Sequence, residues 1–197
     1  MQTLDHILLG LLREPASGWD LRASFEDSAR HFWSAELSQI YPTLQRLERK
    51  GLLTSTREPS PKGPPRRVYA RTTTGQDALA TWLDADPITG TERFAYLAQL
   101  FFMGEGGSPE RTETFLTKLR DRLAGWRDEL AAGEAAWRAE ANDPDFPDSL
   151  PDDEWHVHLS LTMGITSLGA KVAWCEQGLA SLRRRRAQRT TASPKED

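Results

Sequence analysis

Ser38, Gln39, Thr43, Gln45, Arg46, Arg49 and Lys50 recur within the segment LSQIYPTLQRLERKGLL, bringing hydroxyl, amide and guanidinium groups to one short stretch. Such groups hydrogen-bond phosphate oxygens and base edges, with phosphate contacts fixing register and amide or guanidinium forks reading sequence. Glu48 is the one acid that interrupts them. A second cluster follows, in which Lys62, Arg66 and Arg67 accompany Pro59, Pro61, Pro64 and Pro65. The prolines leave the chain little entropy to lose on docking, and the cations suit a duplex backbone, where each neutralised phosphate releases counterions.

Elements able to position these groups are legible around them. Leu37, Ile40, Leu44 and Leu47 recur at three- and four-residue spacing, which predicts a helix with one buried face and the contact residues on the other. Ser38 is expected to cap its first turn, Pro42 to lie early enough for its missing N–H to matter little, and Gly51 to end it in a left-handed conformation. Residues 53–58 and 66–72, rich in Thr, Val and Tyr, read as two strands of a hairpin with residues 59–65 as its tip. Upstream, Leu4, Ile7, Leu8, Leu11 and Leu12 stripe a first helix that Pro15 and Gly18 terminate, and Ser17 caps a second carrying Leu21 and Phe25. Three helices followed by a hairpin are the order of a winged helix-turn-helix. A fourth helix, capped by Thr73 with Gln76 and bearing Ala78, Leu79, Trp82 and Leu83, is expected to lead away from this head toward a junction at residues 86–90.

These residues resemble the PadR-like transcriptional regulators. The resemblance rests on Ile7-Leu8-Leu9-Gly10-Leu11-Leu12, Pro15-Ala16-Ser17-Gly18-Trp19-Asp20-Leu21, Ser38-Gln39-Ile40-Tyr41-Pro42-Thr43-Leu44, Arg46-Leu47-Glu48, Gly51-Leu52-Leu53 and Pro64-Pro65-Arg66-Arg67-Val68-Tyr69, which fall in the family's order. Trp19 stands where Tyr is commoner, and a weaker resemblance continues through residues 101–130 and 161–182. It implies a dimeric DNA-binding repressor whose helical second domain pairs the protomers and often responds to a small molecule. It also implies a phosphate contact through the Tyr41 hydroxyl, which agrees with the position of Tyr41 off the buried stripe.

Beyond the junction the pattern changes to long helices. Leu116, Leu119, Leu123, Trp126, Leu130 and Trp137 form one seam, interrupted at Gly133, and Leu161, Ile165, Leu168, Val172, Cys175, Leu179 and Leu182 form another. Either can pack within the protomer or across a dimer; Leu161, Ile165, Leu168, Val172 and Leu179 are the candidates for the dimer contact. The tryptophans suit core packing, and Trp126, Trp155 and Trp174 are also candidates to line a pocket for a small aromatic or lipophilic effector. Residues 142–153 form an acidic, proline-rich loop, and Arg183 to Arg186 end the last helix as a solvated run or an auxiliary nucleic-acid contact.

The expected fold class is therefore mainly α: a winged helix-turn-helix DNA-binding domain (three helices plus a two-stranded wing) over residues 1–85, an α-helical dimerisation domain over 86–183, and a basic, disordered tail over 184–197.

Charge follows this division. The chain carries a net charge of -4, yet between Arg30 and Arg71 nine Lys and Arg face three acids, so positive charge is concentrated where the duplex would lie. Residues 1–83 carry a net charge of +2 and residues 84–197 one of -6. No apolar run approaches the ~20 residues needed to span a bilayer, and the first residues are unlike a secretory signal, so a cytoplasmic site of action without membrane attachment is expected. A lone Cys175 excludes an intrachain disulfide and reads as a small buried hydrophobe. His156 and His158, beside Asp152, Asp153 and Glu154, sit two apart on a helix and so do not converge on a metal, while His6 and His31 are isolated. Without a Gly-rich phosphate loop, a nucleophile elbow or interpretable paired carboxylates, neither enzymatic activity nor a cofactor is expected. The function expected is a sequence-specific regulator, a repressor, binding a palindromic operator on double-stranded DNA as a homodimer. A helical dimeric adaptor would explain the seams but leave the charged wing without a role.

Overall fold

α1 (Thr3–Leu11) is amphipathic: Leu4, Leu8 and Leu9 are buried on one side, and Asp5 accepts the backbone N–H of Gln2 at 3.1 Å to close its first turn. The structure is a computed structural model that describes residues 1–25, 33, 37–60, 63–90, 94–105 and 108–192. It divides into two compact units, Met1–Gly90 and Thr91–Asp197.

In the first unit, β1 (Ala16–Ser17) leads directly into α2 (Gly18–Ser24), and α3 (Leu37–Arg49) follows. Ser17 accepts the Asp20 N–H at 3.2 Å while Asp20 accepts the Ser17 N–H at 3.0 Å, a reciprocal cap that fixes where α2 begins. α3 ends in a Schellman turn: Gly51 adopts φ +71°, its N–H reaches the Glu48 carbonyl at 2.9 Å, and Leu52 N–H reaches the Leu47 carbonyl at 3.0 Å. Ser38 lies inside α3 rather than ahead of it, and Pro42, being well inside, withholds an N–H from the Ser38 carbonyl.

β2 (Leu53–Ser60) and β3 (Gly63–Arg71) pair antiparallel, with Ser55 opposite Tyr69 and Arg57 opposite Arg67. The strands run further than the alternation suggested. Pro59 is accommodated because the register is irregular between Glu58 and Ser60, so its missing N–H breaks no regular ladder. β1 joins the other edge of β3, with Ala16 opposite Tyr69, giving the order β1-β3-β2. This third strand had no sequence signal, since two residues carry no periodicity.

α4 (Thr73–Leu83) is capped by Thr72, one residue before the expected cap. It folds back onto the same core, with Ala78 and Leu79 packed against it and Trp82 stacked on His6 of α1 at 4.7 Å. His6, expected to be isolated, is therefore a packing residue; His31 lies outside the described residues. Leu8, Leu9, Leu21, Ile40, Leu44 and Leu47 fill the centre of this core at 1% exposure or less. Each contributes about 1.5–3 kcal/mol by leaving water.

The second unit holds α5 (Ala95–Phe102), α6 (Pro109–Ala141) and α7 (Asp152–Ala192). α6 starts on a Ser108 cap with Pro109 in its first turn, runs unbroken through Gly133, and stops at left-handed Asn142. α7 returns antiparallel, placing Glu113 with Arg186, Leu116 against Gly178, and Glu134 with His158. Leu168, Val172 and Leu179, expected in an intermolecular seam, are buried inside the protomer, where Leu168 and Val172 join Leu123 and Cys175 in the α6–α7 core. Leu161 and Ile165 are half-buried. The spacing of such a seam gives the face but not which helix covers it.

The connecting loop is anchored as well as acidic. Phe146 is buried edge-on against Trp137 and His158, and Arg138 lies 4.5 Å over its ring while donating to its carbonyl at 3.2 Å. The tail expected to be disordered from residue 184 is helical as far as Ala192, with Arg186 donating to Glu113 at 2.6 Å and Glu110 at 3.1 Å. Among the described residues no helix is long and apolar enough to cross a membrane, and no group of three or more His, Cys, Asp or Glu is placed to hold a metal ion.

Candidate nucleic-acid interface

At about 100° per residue, Ile40, Thr43, Leu44 and Leu47 fall on one arc of α3, and all four are buried. Ser38, Pro42, Gln45 and Arg49 fall on the opposite arc and are exposed. Gln39 and Arg46 flank that arc on one side, Tyr41 and Glu48 on the other. This corrects two expected groove contacts. Thr43 is 6% exposed, and Arg46 is engaged with Asp5 of α1, whose carboxylate is 1% exposed. Which flank of α3 would meet α1 is a tertiary fact with no local signature. Gln45 and Arg49, both named among the contact residues of the segment, are exposed; with Ser38 and Pro42 they are the complement of the apolar stripe, as the periodicity indicates.

Arg66 and Arg67 are consecutive on β3 and therefore leave opposite faces of the sheet. Arg67 donates to Glu48 of α3 at 2.6 Å and to Ser55 of β2 at 2.7 Å, with its guanidinium 5.4 Å from the Tyr69 ring centroid. Arg66 lies 3.4 Å from Glu58 and 3.8 Å from Asp20. Both side chains stay about half exposed. The Arg66 pairs are exposed on both sides and worth about 0–1 kcal/mol, so a phosphate can displace either acid at little cost, whereas Arg67 is held to a half-buried Glu48 through a closed ring of hydrogen bonds. Lys62 lies outside the described residues. Since Arg67 is bonded to α3, helix and wing belong to one surface.

The acids that hold these arginines are themselves held. The Ser55 hydroxyl foremost, then Arg67, keeps the Glu48 carboxyl below its ordinary range against the opposing effect of burial. Asp20 is held low chiefly by the hydroxyl and backbone N–H of Ser17, with a smaller part from Arg66. Tyr41 is half exposed, and its ring lies on Gly18 at the start of α2, where an added Cβ would come within 2.5 Å of it. Trp19 beside it is 69% exposed, so this corner presents two aromatic side chains to a partner.

The three tryptophans proposed to line one pocket do not converge within a protomer. Trp126 packs into the α6–α7 core, whereas Trp155 and Trp174 are partly exposed on α7, roughly 28 Å apart along its axis at ~1.5 Å per residue.

Residues 7–81, nearly the whole first unit, match the family described as the transcriptional regulator PadR-like family. Over most of its length the chain is similar to the negative transcriptional regulator PadR of Bacillus subtilis, at 29% identity over 92% of this chain and 98% of that protein. Both matches point to the PadR-like transcriptional regulators, with the family model itself falling on the winged head. Among solved PadR-like structures, that of Bacillus subtilis PadR with operator DNA superposes with a TM-score of 0.75 at 26% identity, covering 92% of this chain and 99% of that one. The same relative solved with p-coumaric acid gives 0.68 at 26% identity, over 93% and 98%. The virulence activator AphA of Vibrio cholerae gives 0.73 at 26% identity, over 93% and 99%. The PadR-like fold thus extends through both units, and the winged head lies where the family match falls.

Proposed function

We propose that this PadR-like chain is a sequence-specific repressor that binds a palindromic operator as a homodimer and acts by binding rather than by catalysis. The observation that carries this reading is the exposed arc of Ser38, Pro42, Gln45 and Arg49 on α3, joined through Glu48 and Arg67 to a basic wing. α3 enters the major groove with Gln39 and Gln45 toward base edges, while Tyr41, Arg49, Lys62, Arg66 and Arg67 hold the flanking phosphates. The Bacillus subtilis relative, solved on operator DNA and named a negative regulator, supports both the duplex and the sign.

The second unit pairs the protomers. With Leu168, Val172 and Leu179 used internally, the apolar surface proposed for a second copy is α5, which has no buried residue and exposes Leu97, Phe101 and Phe102, together with Met163 and neighbouring residues of α7. Two-fold symmetry then sets half-sites about one or two helical turns apart. A small aromatic molecule releases the operator by favouring a dimer with wrongly spaced heads, a reading supported by the relative bound to p-coumaric acid. The protein acts in the cytoplasm, where its DNA is.

Selection of bound sequences from random duplex DNA tests the reading. A symmetric consensus, whose binding falls about 10³-fold or more between 50 and 200 mM salt, is expected. Absence of enrichment overturns it.

A further inference from the structure

Three side chains from three elements close a ring. The Ser55 hydroxyl donates to Glu48 Oε1 at 2.6 Å and accepts from Arg67 Nε at 2.7 Å, while Arg67 Nη2 donates to Glu48 Oε2 at 2.6 Å. Register explains why it closes: Ser55 lies opposite Tyr69 and Arg57 opposite Arg67, so Ser55, Arg57, Arg67 and Tyr69 share one face of the hairpin. Glu48 lies at the flank of α3 nearest that face, one residue before the helix ends. Both carboxylate oxygens are engaged, and the guanidinium is held through two nitrogens rather than one.

We propose that Glu48 is a positioning and specificity-determining residue of the DNA-binding head. It ties the wing to α3, so that helix and wing meet a duplex together at a fixed separation, and it neutralises one wing cation that would otherwise attract any duplex. The inference rests on the DNA-binding reading above and deepens it.

The physical basis is the different demand of two binding modes. Binding to arbitrary sequence is driven by charge, so an acid beside the contact surface weakens it. Binding to the operator needs base-reading groups and phosphate-holding groups in register, and a loosened wing forfeits that register. An acid in a basic surface therefore lowers the first affinity and raises the second. Among the described residues the other acids paired with an arginine of the first unit lie elsewhere: Asp5 is buried against Arg46, and Asp20 and Glu58 serve Arg66 on the opposite face of the sheet.

The test compares wild type with Glu48→Gln, Glu48→Ala, Arg67→Ala and the double variant Glu48→Ala/Arg67→Ala. Two duplexes of equal length are used, the sequence the wild type itself enriches and its scrambled form, over a salt series. Glu48→Gln keeps the shape and removes the charge, and it is expected to bind scrambled duplex about fivefold more tightly at low salt. In Glu48→Ala the ratio of operator to scrambled affinity is expected to fall about tenfold, and adding Glu48→Ala to Arg67→Ala is expected to change the ratio no further, because both act through one pair.

A merely structural role lowers binding to both duplexes in proportion to the folded fraction and leaves the ratio alone. That outcome, in either Glu48 variant, overturns the inference while the function stands. A wild type that enriches no sequence overturns the function instead.

Discussion

The Thr72 hydroxyl donates to the Gly51 carbonyl at 2.7 Å while accepting the Gly75 N–H at 3.1 Å, so one side chain joins the end of α3 to the start of α4. Gly75 is pressed so closely against this joint that an added Cβ would stand 2.1 Å from the Leu52 carbonyl oxygen. Thr72→Ala is expected to lower stability by about 0.5–2 kcal/mol, the range for a lost N-cap. Gly75→Ala is expected to lower it by at least about 1–3 kcal/mol, since backbone must move to admit the methyl. Urea midpoints measure both, and a neutral Gly75→Ala contradicts the packing.

Arg46→Ala is expected to behave as a folding variant before it behaves as a binding variant. It strands an Asp5 carboxylate that is 1% exposed, with the Gln2 N–H still donating to it. Breaking such a pair costs about 3–5 kcal/mol when the remaining charge is fully buried. A variant as stable as wild type but unable to bind DNA would return Arg46 to the groove.

Arg49→Ala and Gln45→Ala should do the reverse, leaving the unfolding free energy from urea titration within about 0.5 kcal/mol because both side chains are exposed. If Arg49 meets phosphate, its loss reduces the slope of log affinity against log salt by about one. If Gln45 reads a base, its loss weakens discrimination at one operator position by about 1–3 kcal/mol. Titrations of the operator and single-position mismatches separate the two.

Acid should loosen the contact between α1 and α4. Burial foremost, and then the positive amino terminus, hold the His6 imidazole below its ordinary value of 6.5, with Asp5 opposing. A base with a depressed folded value binds fewer protons folded than unfolded, so its contribution is present above pH 6.5 and is lost as pH falls toward the folded value. Melting temperature is therefore expected to drop between pH 7 and mildly acidic conditions, above the range where carboxylates titrate. His6→Gln should flatten that part of the profile; an unchanged slope contradicts it.

Phe101→Glu places a charge on a residue that is 80% exposed in the protomer, so it should not disturb the fold. If α5 meets a second copy, sedimentation will find the variant shifted to monomer, with helical circular dichroism retained and operator affinity much reduced. A variant that stays dimeric assigns the interface elsewhere on the second unit.

Much of this architecture was legible because burial in α1, α3, α6 and α7 follows helical spacing. The Leu4, Leu8 and Leu12 stripe, the Ser17 cap and the Gly51 terminus are local, and local signals survive folding. What escaped the sequence was pairing between elements. Thr43 and Arg46 look like surface residues until α1 is laid beside them, and the Leu168 and Val172 seam looks open until α6 covers it. β1 is too short to alternate, and nothing near His6 announces Trp82, which is 76 residues away in sequence. In the site, the wing cations were readable by type, but their acidic tethers were not, because Glu48 and Arg67 meet only after the hairpin folds.

Ser17 is at once the last residue of β1, paired across the sheet with Val68, and the cap that starts α2. A tilt of α2 must therefore drag the wing strand with it, and Asp20 beside Arg66 adds a second tether between the same two elements. The head consequently behaves like the jaw of a caliper, stiff along its own length. In the proposed dimer, a signal that lowers operator affinity is expected to change the gap between two such jaws, because bending either one would tear hydrogen bonds from strand and helix together.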